Sequence, residues 1–147
     1  MNSSSTVTGA AGGRPHLIDS SIWIPVLRPG KLGQALAPLV TTLLTAGVAA
    51  ITEVILMEVL RGAHDAAEYQ RLQARLAPLT LLPVTAERWK EAAHLGFILR
   101  RQHGITAAST DLLIAAVAMA HGATLVHRDG DFDLIAKHVP LVVESHV

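Results

Sequence analysis

The stretch STDLLIAAVA at residues 109–118, followed by LVHRDGDF at residues 125–132, decides the fold class. The first segment predicts an apolar helix with Asp111 in its first turn, and the second predicts a short buried strand that ends in an acidic turn. In open parallel sheets, ligands bind beyond the carboxyl ends of the strands. We therefore expect Asp111, Asp129 and Asp131 to lie together at one edge of a parallel sheet.

The rest of the chain alternates short apolar runs with segments of helical periodicity. The predicted strands cover residues 16–19, 48–51, 79–84, 123–127 and 141–143. The predicted helices cover residues 22–27, 31–46, 53–61, 65–77, 86–102, 111–121 and 132–138. Pro38 should kink or split the second helix, and Ser109 or Thr110 should cap the sixth. This pattern predicts an α/β fold, a three-layer α/β/α sandwich with a central parallel sheet of four or five strands.

Length and composition fit a single domain, which we assign to residues 15–147 behind a flexible N-terminal lead-in at residues 1–14. Hydrophobic residues make up 50% of the chain, and 12 Lys and Arg balance 12 Asp and Glu. This zero net charge excludes a global basic field for nucleic acid, and the lack of cysteine excludes disulfides and zinc thiolate sites. The apolar runs are too short to span a bilayer, so we expect a cytoplasmic protein without membrane contact.

Two upstream acids should reach the same edge of the sheet. Asp19 ends the first predicted strand, and Glu58 lies on the apolar helix that follows the second strand. Converging carboxylates repel one another unless a divalent cation neutralises them. Oxygen ligands without cysteine favour Mg²⁺ or Mn²⁺. The sequence therefore predicts a metal site of the kind that activates water and stabilises charge on phosphate.

Each acid also has a structural explanation when it is taken alone. Asp19 could cap the turn that follows it, and Asp111 could be a helix-start acid that interacts with the helix dipole. Asp129 and Asp131 could be turn formers, and Asp133 is expected to be solvated. The joint placement of the acids favours the functional interpretation.

Four short segments resemble, in the same order, those of PIN-domain ribonucleases, and most closely those of the VapC toxins of bacterial toxin–antitoxin modules. The segments are LIDSS at 17–21, MEVLRG at 57–62, DLLIAA at 111–116 and HRDGDF at 127–132. Each motif alone is weakly specific, but the resemblance covers about residues 17–143, nearly the whole domain.

The resemblance implies a PIN-like α/β/α fold with an acidic pocket that holds Mg²⁺ or Mn²⁺. It also implies an endoribonuclease that cleaves single-stranded RNA and is restrained by a cognate VapB antitoxin. Carried over by motif, the acidic quartet is Asp19, Glu58, Asp111 and Asp129. Asp131 is then a supporting acid or an alternative metal ligand.

Two further residues belong to the predicted pocket. Ser21 matches the small polar position after the first acid, and its hydroxyl could hydrogen-bond a pocket carboxylate. His127 departs from the resemblance, because the family more often has Thr or Ser there. Three roles stay open for His127: a hydrogen bond, a contact with RNA, or the filling of space. We favour the last two.

The predicted chemistry is in-line attack of an activated water on an RNA phosphodiester. Asp19, Asp111 and Asp129 would hold the metal, and Glu58 would either complete the outer shell or accept a proton from the water. The candidate RNA contacts are Arg61, Arg100, Arg101 and Arg128. For residues 100–101 we favour charge complementarity at the end of their helix over RNA contact.

Aromatic residues make up only 3% of the chain, so the sequence shows no evident platform for stacking bases. Trp23 and Trp89 could lie in the core or at an interface, and we favour the core. The apolar segments at 32–44 and 54–60 are expected to belong mainly to the core. They also fit a homodimer interface or an antitoxin-binding groove, so the assembly is either a homodimer or a toxin–antitoxin hetero-oligomer.

Two other classes of protein compete with this interpretation. One is a catalytically inactive PIN-like scaffold that only binds a partner, against which the complete acidic set argues. The other is a phosphorylatable receiver-type signalling domain. That design has an acidic pair near the first strand, a central Asp, and a Lys after the last strand. Here a single Asp19 follows the first strand, the third strand ends without an acid at residues 83–84, and no Lys follows Val143.

Overall fold

The computed structural model describes residues 13–147, so the predicted lead-in at residues 1–14 lies almost wholly outside the described residues. Five strands form one sheet in the order β3–β2–β1–β4–β5, and every neighbouring pair is parallel. The strands are β1 His16–Ile18, β2 Ala49–Ile51, β3 Thr80–Leu81, β4 Thr124–His127 and β5 Val142–Ser145. The described helices are α1 Ser20–Val26, α2 Lys31–Thr45, α3 Glu53–Leu60, α4 Ala66–Leu76, α5 Ala86–His103, α6 Ser109–Ala120 and α7 Gly130–Ala136. The predicted α/β/α fold is confirmed, with five strands.

The strand order creates a switch point between β1 and β4. From β1 the chain crosses to β2 on one side, whereas from β4 it crosses to β5 on the other side. The two strands pair along their length, and the Asp19 N–H continues the pairing with a 2.9 Å bond to the Val126 carbonyl. A crevice at such a point, beyond the carboxyl ends of the strands, is where open α/β sheets bind ligands.

The core explains why α6 can carry an acid into that crevice. Residues 113–118 of α6 are all buried, so this helix runs through the interior rather than over the surface. It packs on α5, where a Cβ at Gly96 would lie 2.8 Å from Leu112 Cδ1. The close approach of the two helices fixes the start of α6, beside Asp111.

The helix boundaries depart from the predictions by two residues at the starts of three helices, and one of these is α1, which begins at Ser20 instead of residue 22. The predicted caps Ser109 and Thr110 are wrong, because α6 already begins at Ser109 and Ala108 occupies the N-cap position. Helix α7 begins at Gly130, two residues earlier than predicted, because the Asp129 carboxylate caps it by accepting a hydrogen bond from the Asp131 N–H. The shift of α7 brings an acid of the predicted site into the cap itself.

The interior of α2 also departs from the prediction. Pro38 does not split this helix, which runs unbroken from Lys31 to Thr45. The Thr42 hydroxyl donates a 2.9 Å hydrogen bond to the Pro38 carbonyl within the helix. The predicted split of this helix is therefore wrong.

The apolar segments contribute mainly to the core, as expected. Trp23 is 4% exposed, whereas Trp89 is 58% exposed on α5, so its predicted core position is wrong. Leu32 and Leu44 of α2 and Met57 of α3 are also exposed apolar side chains. None of the helices in residues 13–147 is long and apolar enough to cross a bilayer.

Candidate active site

Asp19 lies directly after β1 and caps α1. Its Oδ2 accepts a 3.1 Å hydrogen bond from the Ser21 N–H and a 2.6 Å hydrogen bond from the Ser21 hydroxyl. The residue is 3% exposed, and this burial raises the pKa of Asp19 although the Ser21 hydrogen bonds act in the opposite direction. Asp19 is thus a buried carboxylate with its own donors.

Ser21 connects the ends of two neighbouring strands. Its Oγ donates to Asp19 after β1 and accepts a 2.9 Å hydrogen bond from the Arg128 N–H after β4. The hydroxyl therefore spans the switch point, with one bond to each side. The hydrogen bond that the sequence analysis allowed for Ser21 is present.

Glu58 reaches the same place from α3. The Ser20 hydroxyl donates a 3.0 Å hydrogen bond to Glu58 Oε1, so the two serines after Asp19 each hold a different carboxylate. Burial raises the pKa of Glu58, the Ser20 hydrogen bond lowers it, and the charge of Asp19 raises it. Arg61, one of the predicted RNA contacts, acts on Glu58 by lowering its pKa.

Asp111, Asp129 and Asp131 form a cluster at the starts of α6 and α7. One carboxylate oxygen from each lies within 4.8 Å of the others. Burial, and then the negative charge of Asp129, raise the pKa of Asp111 to about 7. Asp19, Asp131 and Glu58 add to this effect through their charges. The protein therefore holds its acids close enough for each to oppose the ionisation of Asp111.

A cavity of about 330 Å³ joins the two groups of acids. Four of its lining residues are the predicted acidic quartet: Asp19, Glu58, Asp111 and Asp129. Its other lining residues are Ser20, Ser21, Ile24, Pro25, Leu32 and Arg128. Asp131 belongs to the 4.8 Å cluster but not to this lining, whereas Asp19 and Glu58 line the cavity outside the cluster.

The residues of the cavity fit a hard divalent cation. The acidic quartet and Asp131 offer carboxylate oxygens, which are the ligands that Mg²⁺ and Mn²⁺ prefer. A divalent charge would relieve the mutual repulsion that raises the pKa of Asp111. Both the donor set and the electrostatics therefore favour a cation at this site.

One of the two roles that we favoured for His127 from the sequence is wrong, and the other is present. The residue is 0% exposed, so a contact with RNA is wrong. It fills space, but its ring also makes two hydrogen bonds: Nδ1 accepts a 3.0 Å bond from the Asp129 N–H, and Nε2 lies 3.1 Å from Asp133 Oδ1. The hydrogen-bonding role, which we ranked below the other two, is the one the structure adds.

Asp133 and Ser145 are the residues that sequence reasoning missed. Asp133 was expected to be solvated, but its Oδ1 contacts His127 and its Oδ2 accepts a 2.8 Å hydrogen bond from the Ser145 hydroxyl. The spacing was the available signal, because Asp133 lies one helical turn after Asp129. Ser145 gave no such signal, because its position depends on how β5 pairs with β4.

The four candidate RNA contacts do not lie together. Arg128 lines the acidic cavity, and Arg61 lies near enough to Glu58 to affect its pKa. Arg100 and Arg101 line a separate open depression on α5 with Gly96 and Phe97. Only Arg128 is thus a direct neighbour of the quartet.

Comparison with known proteins assigns this geometry to a family. The model of the family described as PIN domain matches residues 16–138. The chain belongs to the PIN-domain family, among the VapC ribonucleases. It is 39% identical over 132 residues to Ribonuclease VapC11 of Mycobacterium tuberculosis. The alignment covers 88% of this chain and 97% of that protein. It is 34% identical to Ribonuclease VapC51 of the same species, over 82% of this chain and 85% of that protein.

A solved structure agrees with the fold of this PIN-domain chain. VapBC2 from Rickettsia felis, bound to a DNA fragment from its promoter, matches with a TM-score of 0.71. The alignment covers 90% of this chain and 98% of that chain at 22% sequence identity. At this identity the likeness concerns the fold.

Proposed function

We propose that this protein is the toxin of a toxin–antitoxin pair, an endoribonuclease that hydrolyses RNA phosphodiesters with a carboxylate-bound Mg²⁺ or Mn²⁺. The observation that carries the proposal is the convergence of Asp19, Glu58, Asp111 and Asp129 on one cavity at the switch point of the sheet. The relatives named ribonucleases supply the reaction class, and the chemistry of the cavity supplies the dependence on metal. Because the chain belongs to the PIN-domain family, we reject the alternative of a receiver-type signalling domain.

The acids divide into different tasks. Asp19, Asp111 and Asp129 hold the cation, and Asp131 lies close enough to Asp111 and Asp129 to serve as a further ligand. When bound, the cation activates water and stabilises negative charge on the phosphate. Asp111 must lose its proton to become a ligand, because its pKa of about 7 leaves it partly protonated near neutral pH.

Glu58 is the residue that we assign to proton transfer. It lines the cavity but stands outside the 4.8 Å cluster of acids, and it is more exposed than Asp19. Burial raises its pKa above the ordinary value of 4.5, which is the direction that favours general-base catalysis by a carboxylate. The Ser20 hydroxyl holds Oε1, which leaves Oε2 to accept the proton of the attacking water.

The RNA strand needs cationic and apolar contacts beside this negative cavity. Arg128 supplies one charge at the cavity itself. The depression on α5 supplies Arg100 and Arg101 for phosphates, and Phe97 beside them is 61% exposed and presents a ring to a base. We assign this depression to the RNA that flanks the scissile bond, a role that we ranked from the sequence below charge complementarity at the end of α5.

The partner that restrains the enzyme is a VapB-like antitoxin, in a hetero-oligomer or with a homodimer of this chain. The solved neighbour VapBC2 supports a VapB partner by its name. On this chain Leu32 lines the acidic cavity and is exposed, and Met57 is exposed on the helix that carries Glu58. An antitoxin that covers these side chains would also close the cavity.

The test of the nuclease is RNA cleavage by the purified protein with Mg²⁺ or Mn²⁺. Asp19→Asn and Asp111→Asn should each lower the cleavage rate by about 100-fold or more. This loss exceeds the ~10- to 100-fold loss that is usual for residues that only hydrogen-bond to a metal ligand. Glu87→Gln, an exposed acid on α5 paired with Lys90, is the matched control and should cut like wild type. Cleavage that survives EDTA, or full activity in both Asn variants, would refute the metal-dependent nuclease and favour the inactive scaffold.

The toxin role has its own test in cells. Induction of the wild-type protein should stop growth, co-expression of the antitoxin should restore it, and Asp111→Asn should be harmless at the same protein level. Normal growth during strong induction of soluble wild-type protein would contradict the toxin role while leaving the nuclease activity in place.

A further inference from the structure

A chain of three hydrogen bonds runs behind the acidic cavity. Ser145 Oγ donates to Asp133 Oδ2 at 2.8 Å, Asp133 Oδ1 lies 3.1 Å from His127 Nε2, and His127 Nδ1 accepts from the Asp129 N–H at 3.0 Å. His127 and Ser145 are register partners on β4 and β5, so the sheet itself brings them side by side. The chain therefore connects the edge strand of the sheet to an acid of the predicted quartet.

The protonation state of the His127 ring follows from its partners. A backbone N–H can only donate, so Nδ1 must carry a lone pair toward Asp129. The proton of the neutral ring then resides on Nε2, where Asp133 Oδ1 accepts it. The ring is fully buried and packs against Phe132, with ring centroids 5.3 Å apart. Each ring nitrogen thus has one partner of the correct kind.

Asp129 is fixed on two sides by this arrangement. Its N–H is held by His127, and its Oδ1 accepts a 3.0 Å hydrogen bond from the Asp131 N–H at the start of α7. With Oδ1 engaged in the cap, Oδ2 is the oxygen that is left for the cavity that Asp129 lines. A change in the backbone at Asp129 would move this oxygen directly.

We propose that Ser145, Asp133 and His127 form a positioning relay that fixes the Asp129 carboxylate for metal binding. The inference rests on the proposed function, because it treats Asp129 as a ligand of the catalytic cation. The imidazole serves the relay because its two separate nitrogens reach the Asp129 N–H and the Asp133 carboxylate at once. Asp133 holds the ring, and Ser145 holds Asp133.

Asp133→Ala is the first variant, and its readouts are Mn²⁺ affinity by calorimetry and hydrogen exchange of the Asp129 amide. The variant removes the carboxylate that holds His127, and His127 in turn holds the backbone of the proposed ligand Asp129. Loss of such an outer hydrogen-bond partner should weaken Mn²⁺ binding ~10- to 100-fold. The Asp129 amide should exchange about tenfold faster, because the His127 ring that protects it is no longer held. Neither measurement requires RNA.

The same β5 strand offers a matched control. Glu144 Oε2 lies 2.7 Å from His146 Nε2, which makes a second carboxylate–imidazole pair that does not reach Asp129. Glu144→Ala should leave both Mn²⁺ affinity and Asp129 exchange unchanged. Asp133→Asn keeps an acceptor oxygen for His127 and offers an N–H₂ to Ser145, so it should recover most of the loss seen with Ala.

The outcomes separate the relay from the nuclease. Wild-type Mn²⁺ affinity and wild-type Asp129 exchange in Asp133→Ala would overturn the relay, as would equal losses in Glu144→Ala. If Asp133→Ala does not fold, Ser145→Ala decides, since it removes only the hydroxyl: faster Asp129 exchange supports the relay, and unchanged exchange overturns it. A wild-type protein that binds Mn²⁺ but cuts no RNA refutes the proposed function alone, while full cleavage by a folded Asp133→Ala with unchanged exchange refutes the relay alone.

Discussion

Asp19 and Asp111 line one cavity, but the protein surrounds their charges in different ways. Asp19 is almost fully buried and receives two hydrogen bonds from Ser21. Asp111 is less buried, and its pKa is raised by burial and by the charges of four other acids. Within residues 13–147, no hydrogen-bond donor lowers it. Burial raises the pKa of both acids, but only at Asp19 do protein donors oppose the effect.

The difference shows what each acid requires in order to ionise. A carboxylate with built-in donors is partly compensated by the protein itself, whereas one that faces other carboxylates needs a cation from outside. In the proposed metal site, Asp19 would thus be a preorganised ligand, and Asp111 would be the acid whose charge depends on the cation.

The largest expected effect is the stabilisation by metal. Mn²⁺ at 100 times its dissociation constant should raise the free energy of unfolding of the wild type by about 2.7 kcal/mol. Asp111→Asn should gain far less, because the metal loses the ligand that depends on it most. Thermal unfolding with Mn²⁺ and with EDTA measures both gains. Equal gains in the two proteins would place the cation away from Asp111.

Ser21→Ala should show the cost of removing one of the two donors of Asp19, because alanine keeps the backbone N–H. The variant loses the hydroxyl that donates to the buried Asp19 carboxylate and that accepts from the Arg128 N–H. We expect the free energy of unfolding to fall by about 2 kcal/mol, within the range for unsatisfied buried groups. Denaturant unfolding in EDTA measures it. Thr42→Ala removes a hydroxyl from the exposed face of α2 and should cost much less; equal losses would deny Ser21 its special position.

Asp111→Asn should stabilise the metal-free protein, with an effect that depends on pH. The pKa of Asp111 is about 7 in the fold against an ordinary value of 3.8, so the folded state binds this proton more tightly. Its contribution to stability is then complete below about pH 4 and is lost as the pH rises through 7. An Asn cannot ionise and escapes this loss. After a discount for the partial exposure of Asp111, we expect a gain of roughly 1–2 kcal/mol at pH 8.

Unfolding in EDTA at pH 4 and pH 8 provides the measurement. The gain from Asp111→Asn should be present at pH 8, should vanish at pH 4, and should be replaced by a deficit once Mn²⁺ is added. Glu87→Gln, on the surface of α5, should show no such dependence on pH. A gain of the same size at both values of pH would mean that the amide stabilises by packing instead of by removing a charge.

The same contrast explains what the sequence could reveal. Asp19 and Asp129 were predictable because each follows an apolar run that becomes a parallel strand, and the ends of such strands meet. Asp111 was predictable from its place at the start of an unusually apolar helix. These rules use only the order and polarity of residues along the chain. They locate a site without its hydrogen bonds.

The parts that could not be predicted depend on geometry across elements. To predict the His127–Asp133 contact one must know where α7 begins. Because Asp129 caps this helix, it begins two residues earlier than the sequence predicted. Ser145 requires the register of β5 on β4. Trp89 was misplaced because the outward face of α5 carries large apolar residues that periodicity alone assigns to a core. How these faces and registers combine is fixed by packing.

Ser20→Ala tests the intermediate case, in which a half-buried acid has one donor. The Ser20 hydroxyl lowers the pKa of Glu58, so its removal should raise that pKa further and keep Glu58 protonated to higher pH. If Glu58 accepts the proton of the attacking water, cleavage should fall on the acid side of the pH profile by roughly fivefold or less, and recover at high pH. Ser20→Thr keeps the hydroxyl and should retain the wild-type profile. A uniform loss at every pH would instead mean that Ser20 supports the fold and that Glu58 belongs to the outer shell of the metal.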